Sequence, residues 1–218
     1  MKKQPCTLFG HRECPETVKP ILRAVLEELI TVQGVTMCYV GHQGQFDRYA
    51  RGILRQLKAR YPHMEYAVVL AYLPTERREY DDHSDTMLPE GIEHVHPRFA
   101  LDWRNRWMLD RADLLVTHVV HDWGGAAKYA EAARKRGKPV INIDGKSYAP
   151  FSTPVLEQML RNDCDGTAPL PLETIFEICE ILAQRRTEEA PAEMERSKRE
   201  CWERLRKKFP ELPPLRGI

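Results

Sequence analysis

The 218-residue chain lacks the short motifs that name a chemistry at sight. It has no GxSxG elbow, no GxxxxGK[ST] phosphate loop and no complete GxGxxG fingerprint. The common hydrolase, nucleotide triphosphatase and dinucleotide-binding classes thereby lose their signatures. Eight histidines are present, but there is no HExxH and no Cys/His zinc spacing, so no metal is expected. The six cysteines include no CxxC pair, and scattered thiols of this kind are expected to be reduced and mostly structural. No apolar run approaches bilayer length, and the opening Met1 to Cys6 has no apolar signal core, so no membrane partner and a cytoplasmic location are expected. An excess of one charge is also missing: 33 basic residues stand against 32 acidic ones, for a net charge of +1. A large duplex-binding surface leaves a stronger basic imbalance, so nucleic acid is not the expected partner. No internal repeat is found.

What is present is a regular alternation of apolar runs and amphipathic stretches, in a chain with 42% hydrophobic and 30% charged residues. Thr7 to Phe9 is a short apolar run that stops at Gly10-His11-Arg12. A helix is predicted from about Thr17 to Ile30, with Val18, Ile21, Leu22, Val25 and Leu29 on one face. Pro20 is tolerated there within the first turn. Val35 to Val40 reads as a strand and ends at Gly41-His42-Gln43-Gly44. Phe46, Tyr49, Ala50, Ile53, Leu54 and Leu57 mark the next helix, which Pro62 closes. Tyr66 to Leu73 has the continuous apolar character of a strand buried on both faces. Thr75 to Pro89 is polar and without periodicity, and is read as a long loop. Gly91 to His96 is read as a short strand, which would put His94 and His96 on one face. Leu101 to Arg111 and Ala126 to Arg136 are read as helices, and Leu114 to Val119 and Pro139 to Ile143 as strands. This pattern predicts an α/β fold, a doubly wound and mostly parallel sheet over residues 1–150. Residues 151–218 form a helical C-terminal extension, with helices predicted from Leu170 to Gln184 and from Ala192 to Phe209. The second of these is highly charged and carries a narrow apolar stripe, suited to packing on the core or to a homo-oligomer contact.

Ligands of such sheets bind at the carboxyl ends of the strands. The turns at Gly10 to Arg12, Gly41 to Asp47 and Asp122 to Gly125 each follow an apolar strand and are expected to converge on one edge. Gly124 and Gly125 open a helix, whose free N–H groups and dipole favour an anion, with Lys128 adding charge. Arg104 and Arg106 lie upstream; two residues apart on a helix, at most one of them points into a pocket. Gly10, His11, Arg12, Gly41, His42, Gln43, Gly44 and Asp47 complete the candidate ligand-binding set, with Asp47 suited to a ribose hydroxyl. Glu131, downstream, is a possible acid/base.

These residues resemble the SLOG superfamily, named for the DNA-processing protein Smf/DprA and the LOG phosphoribohydrolases. The resemblance rests on Phe9-Gly10-His11-Arg12, on Gly41-xx-Gly44-xx-Asp47, and on the RNRWMLDRADLLV stretch before Gly124-Gly125. Within it the YpsA-like branch, the DUF1273 group, is the most similar. The resemblance covers about residues 5 to 145 and implies a Rossmann-like sheet that binds a nucleotide or nucleotide-derived small molecule. The LOG signature implies Arg104 and Glu131 as the working residues of N-glycosidic cleavage in a nucleoside monophosphate. Trp123, Ala127, Lys128 and Asn105 stand where that signature has proline, glycine, threonine and lysine, which removes parts of its phosphate seat. The leading expectation is therefore nucleotide binding. A phosphoribohydrolase is the first alternative, and a DNA-associated or scaffold protein the second. No cofactor is expected.

Overall fold

The structure is a computed structural model whose described residues are 4–72, 85–144, 146–189, 191–210 and 212; within these, the side chains of 187–198 are outside the description. Contacts divide the chain into two compact units, Met1–Gly145 and Lys146–Ile218.

Among its described residues the first unit holds six strands: β1 (Gln4–Gly10), β2 (Val35–Val40), β3 (Glu65–Val69), β4 (Thr86–Met87), β5 (Leu114–His118) and β6 (Val140–Asn142). All adjacent pairs are parallel, in the order β4-β3-β2-β1-β5-β6. Its described residues also form four α-helices: α1 (Val18–Thr31), α2 (Gly44–Arg60), α3 (Ala100–Arg111) and α4 (Gly125–Lys135). The chain moves outward from β1 to β4, then returns to place β5 on the other side of β1. The strand order therefore reverses between β1 and β5, the point where such sheets open a crevice.

Two neighbouring residues show that the sheet is covered on both sides. The Phe9 ring stacks on Tyr129 of α4 with centroids 5.3 Å apart. At Gly10 a Cβ atom would lie 2.2 Å from Cγ of Phe46 in α2. Successive strand residues face opposite ways, so α2 and α4 lie on opposite faces. This is why β5 is buried along its whole length and reads as continuous apolar sequence. The α4 side of the core joins Phe9, Val69, Leu115, Trp107, Met108, Tyr129 and Ala133. Truncating a fully buried member such as Met108 to alanine costs about 2–5 kcal/mol in cores of this kind.

The architecture is the expected α/β, Rossmann-like doubly wound sheet, here parallel throughout the described strands. Some element readings are corrected. The strand expected from Tyr66 to Leu73 ends at Val69; Leu73 and residues 75–84 of the expected loop lie outside the described residues. Within the rest of that loop, Thr86 and Met87 form β4, paired to Val68 and Val69. Two residues are too few to show an alternation. Gly91 to His96 is not a strand: Ile92–His94 and Pro97–Phe99 are two 3-10 turns. Gly91 turns the chain at φ +81°, and Pro97 has no N–H to give a sheet. His94 and His96 thus share no strand face.

The second unit consists of α5 (Thr153–Cys164), α6 (Leu172–Glu189) and α7 (Pro191–Lys208). The α5 helix follows a Ser-Thr-Pro start, with Pro154 in the first turn where its missing N–H is harmless. Buried Asp163 accepts a hydrogen bond from the Leu170 N–H at 2.8 Å and pairs with Lys208. Phe176 and Trp202 lie with ring centroids 6.1 Å apart. Cys179 and Cys201 are disulfide-bonded, which corrects the expectation of reduced thiols throughout. Twenty-two positions separate them, and the pairing of α6 with α7 brings their Cα atoms to 6.5 Å. Cys6, Cys14, Cys38 and Cys164 are free. No helix among the described residues is long and apolar enough to cross a membrane.

Candidate functional site

Turns leave the carboxyl ends of β1, β2 and β5, and short hydrogen bonds lace them together. The His11 N–H donates to the His118 carbonyl at 3.2 Å, tying the first turn to β5. The Gln45 N–H donates to the Arg12 carbonyl at 2.8 Å, and the Cys14 N–H to Gln45 Oε1 at 2.9 Å, tying the first turn to the second. Gly44 sits at φ +91°, where an added Cβ would also come within 2.9 Å of the Arg12 Cα. Asn142 at the end of β6 secures the third turn. Its Oδ1 accepts from Thr117 and from the Val119 N–H, and its Nδ2 donates to the Val119 carbonyl.

Between these turns lies a cavity of about 850 Å³ at the reversal point of the sheet. One wall is Phe9 to Glu13; the opposite wall is Val120, His121 and Trp123 to Ala126; α3 adds Arg104 and Asn105, and Arg98 stands at its start. The α4 N-terminus opens on this space. Gly124 has φ +91° and ψ 177°, a region almost closed to residues with a Cβ. The Lys128 N–H is the first to turn inward, to the Gly124 carbonyl at 3.1 Å. The preceding N–H groups have no acceptor one helical turn back. A Cβ at Gly124 or Gly125 would meet no atom within 4 Å, so the space before these groups is open.

The floor of the cavity is polar and buried. Asp47 and Arg104 are each only 6% exposed. Both crowd the Cα of Gly41, where a Cβ would lie 2.3 Å from Asp47 Oδ2 and 2.9 Å from an Arg104 guanidinium nitrogen. Asp47 Oδ2 accepts the Gln43 N–H at 2.9 Å, and Arg104 donates to Asn105 Oδ1 at 2.7 and 3.0 Å. Burial pushes the Asp47 carboxyl up to about 6, although Arg104, the Gln43 N–H and Arg51 all favour its charged form. A group held near 6 inside a crevice holds or gives up a proton at physiological pH.

Of the residues read from sequence, the cavity is lined by Gly10, His11, Arg12, Gln43, Asp47, Arg104, Gly124, Gly125 and Lys128. The others stand elsewhere. Gly41 is a packing glycine beneath Asp47 and Arg104. His42 and Gly44 line a second cavity of about 930 Å³, with Arg12, Arg48 and Arg51. His42 is held neutral there, pushed down to about 4 by burial and by the charges of Arg104 and Arg51. Arg106 turns to Asp102, its Nε 2.7 Å from Oδ2. The same carboxylate pairs with Lys128 and accepts from the Tyr129 hydroxyl at 2.6 Å, and these contacts hold it below the usual carboxylate range. Lys128 thus reaches the cavity already paired. Glu131 is not brought into the site: its side chain is 54% exposed and faces Arg134 and Lys135. Two turns into α4, it has left the end that points at the cavity.

Neither His121 nor Trp123 belongs to the ligand-binding set read from the sequence. His11, His121 and Trp123 form a continuous stack along the β5 wall, with centroids 3.6 Å apart for the first pair and 3.7 Å for the second. Their planes are inclined by 28° and 10°. His118 lies edge-on to His11, and burial and the neighbouring imidazoles hold His11 and His118 below the usual histidine range. The available signal was the tryptophan standing where the resemblance expects proline.

No family model matches the sequence, and no curated protein does. Among solved structures, the chain is similar to DNA processing protein A (DprA) from Streptococcus pneumoniae, with a TM-score of 0.51 and 14% identity. The similarity covers 80% of this chain and 61% of that protein, so this chain corresponds to part of the DprA length. At this identity the likeness is one of fold: the sheet is a Rossmann-like sheet similar to that of DprA.

Proposed function

We propose that the first unit binds a nucleotide or nucleotide-derived small molecule in the cavity between β1 and β5. One observation carries this reading: the open N-terminus of α4 and the buried Asp47–Arg104 floor face a single 850 Å³ space at the reversal point of the sheet. A phosphate at Gly124-Gly125 meets free N–H groups and the positive end of the α4 dipole, with Arg12 and Arg98 on the rim. Asp47 and Gln43 offer an acceptor and a side-chain amide to a ribose. The relation to YpsA-like proteins, the DUF1273 group, belongs to the same proposal and rests on the sequence motifs.

The phosphoribohydrolase reading is less well supported, because Glu131 faces solvent and its own helix's cations. A melting-temperature panel of nucleoside mono-, di- and triphosphates tests the binding reading. A ligand at a hundred times its Kd stabilises the folded state by about 2.7 kcal/mol. In a unit of this size that raises Tm by roughly 5–10 °C. No shift with any nucleotide refutes the proposal.

A further inference from the structure

We propose that the outer face of Trp123 is the nucleobase platform of this site, so that its ligand is a mononucleotide with the base stacked on Trp123 and the phosphate on the adjoining Gly124-Gly125 turn. This rests on the reading of the cavity as a nucleotide site and goes beyond it by naming the base-recognising residue.

Trp123 is 69% exposed, the most exposed large hydrophobic side chain among the described residues. It is not left loose. His121 covers one ring face at 3.7 Å, His11 backs His121 at 3.6 Å, and His121 Nδ1 lies 3.0 Å from the Trp123 carbonyl. An indole with one face held and no ring against the other, among the described residues, is a pile that one more planar ring extends. Aromatic platforms of this kind bind bases because every base has a π-face, and they do so without reading its edge.

Position agrees with shape. Trp123 adjoins Gly124, and consecutive Cα atoms lie about 3.8 Å apart. Base and 5′-phosphate of one nucleotide are joined through a single ribose, so one ligand reaches the indole and the α4 N–H groups together. Both Trp123 and His121 line the same cavity as Gly124 and Gly125. At Gly41, by contrast, Asp47 and Arg104 already occupy the space next to the Cα. A single-stranded nucleic acid would need successive stacking rings along a basic track, whereas the rings here pile into one stack and the chain's net charge is +1.

Titration calorimetry on the full chain separates the possibilities, with adenosine 5′-monophosphate, ribose 5-phosphate and a short oligothymidylate as probes. Adenosine monophosphate is expected to bind at least tenfold more tightly than ribose 5-phosphate. Trp123→Ala should remove that advantage and leave ribose 5-phosphate unchanged, while Trp123→Phe should keep most of it. Because Trp123 is exposed, both variants are expected to fold, which their thermal unfolding checks. If ribose 5-phosphate binds but the base adds nothing, or Trp123→Ala leaves the advantage intact, the platform is wrong and the phosphate seat stands. Oligothymidylate binding through Trp123 without mononucleotide binding overturns the proposal in favour of a strand-binding site. If no probe binds, the nucleotide reading falls and the platform falls with it.

Discussion

Replacing Asp47 by asparagine separates what this carboxylate does for the fold from what it does for a ligand. In the folded chain Asp47 titrates at about 6 in place of 3.8. At about 1.4 kcal/mol per pH unit, the native environment disfavours its ionisation by about 3 kcal/mol. The sign follows from proton binding. Between about pH 4 and pH 6 the native state holds the proton that the unfolded chain has released, so stability falls as pH rises through this window and stays low above it. Asparagine reproduces the neutral form at every pH. Asp47→Asn should therefore raise the unfolding free energy at pH 8 by about 1–3 kcal/mol, with the gain vanishing towards pH 4. Urea unfolding of both proteins from pH 4 to pH 8 measures the difference, and contributions of other titrating groups cancel between them. Affinity for adenosine monophosphate should move the other way and fall several-fold, since a charge kept at a stability cost is a mark of a working site. A loss of more than 1 kcal/mol at pH 8 on substitution would refute this reasoning and make Asp47 the structural counter-ion of Arg104.

Gly10→Ala places a methyl 2.2 Å from the Phe46 ring and should destabilise by about 1–3 kcal/mol, partly relieved by Phe46→Leu; an unchanged Tm shows that the strand and α2 do not approach so closely. Gly125→Ala meets no atom within 4 Å and should alter stability by less than about 0.5 kcal/mol, yet weaken nucleotide binding about tenfold by crowding the anion seat; calorimetry showing equal affinity removes the phosphate from this turn. Glu131→Gln touches exposed pairs with Arg134 and Lys135, so stability should change by less than about 0.5 kcal/mol and nucleotide affinity not at all. Release of free base from a nucleoside monophosphate that disappears in Glu131→Gln would restore the hydrolase reading.

Residues with a strict period were legible before any coordinates. Phe46, Tyr49, Ala50, Ile53, Leu54 and Leu57 are all buried on α2, and Leu114 to His118 is buried as the apolar run implied. The turns after β1, β2 and β5 converge because parallel strands send all their carboxyl ends to one edge. The errors fell where period carries little information. The two residues of β4 show no alternation, and the 3-10 turns around Gly91 and Pro97 mimic a short apolar strand.

The sequence by itself determined the alternating α/β plan, the central strands and that Arg104 and Arg106 do not share one helix face. Each follows from local spacing, which sets which side of a helix or strand a residue occupies. Tertiary structure alone decided which glycines face the cavity, that Asp102 gathers Arg106, Lys128 and Tyr129, and that Glu131 looks away. It also decided that His11 meets His121 and Trp123 across more than a hundred residues, through the pairing of β1 with β5. Contacts of that kind depend on strand order and register, which no local pattern encodes.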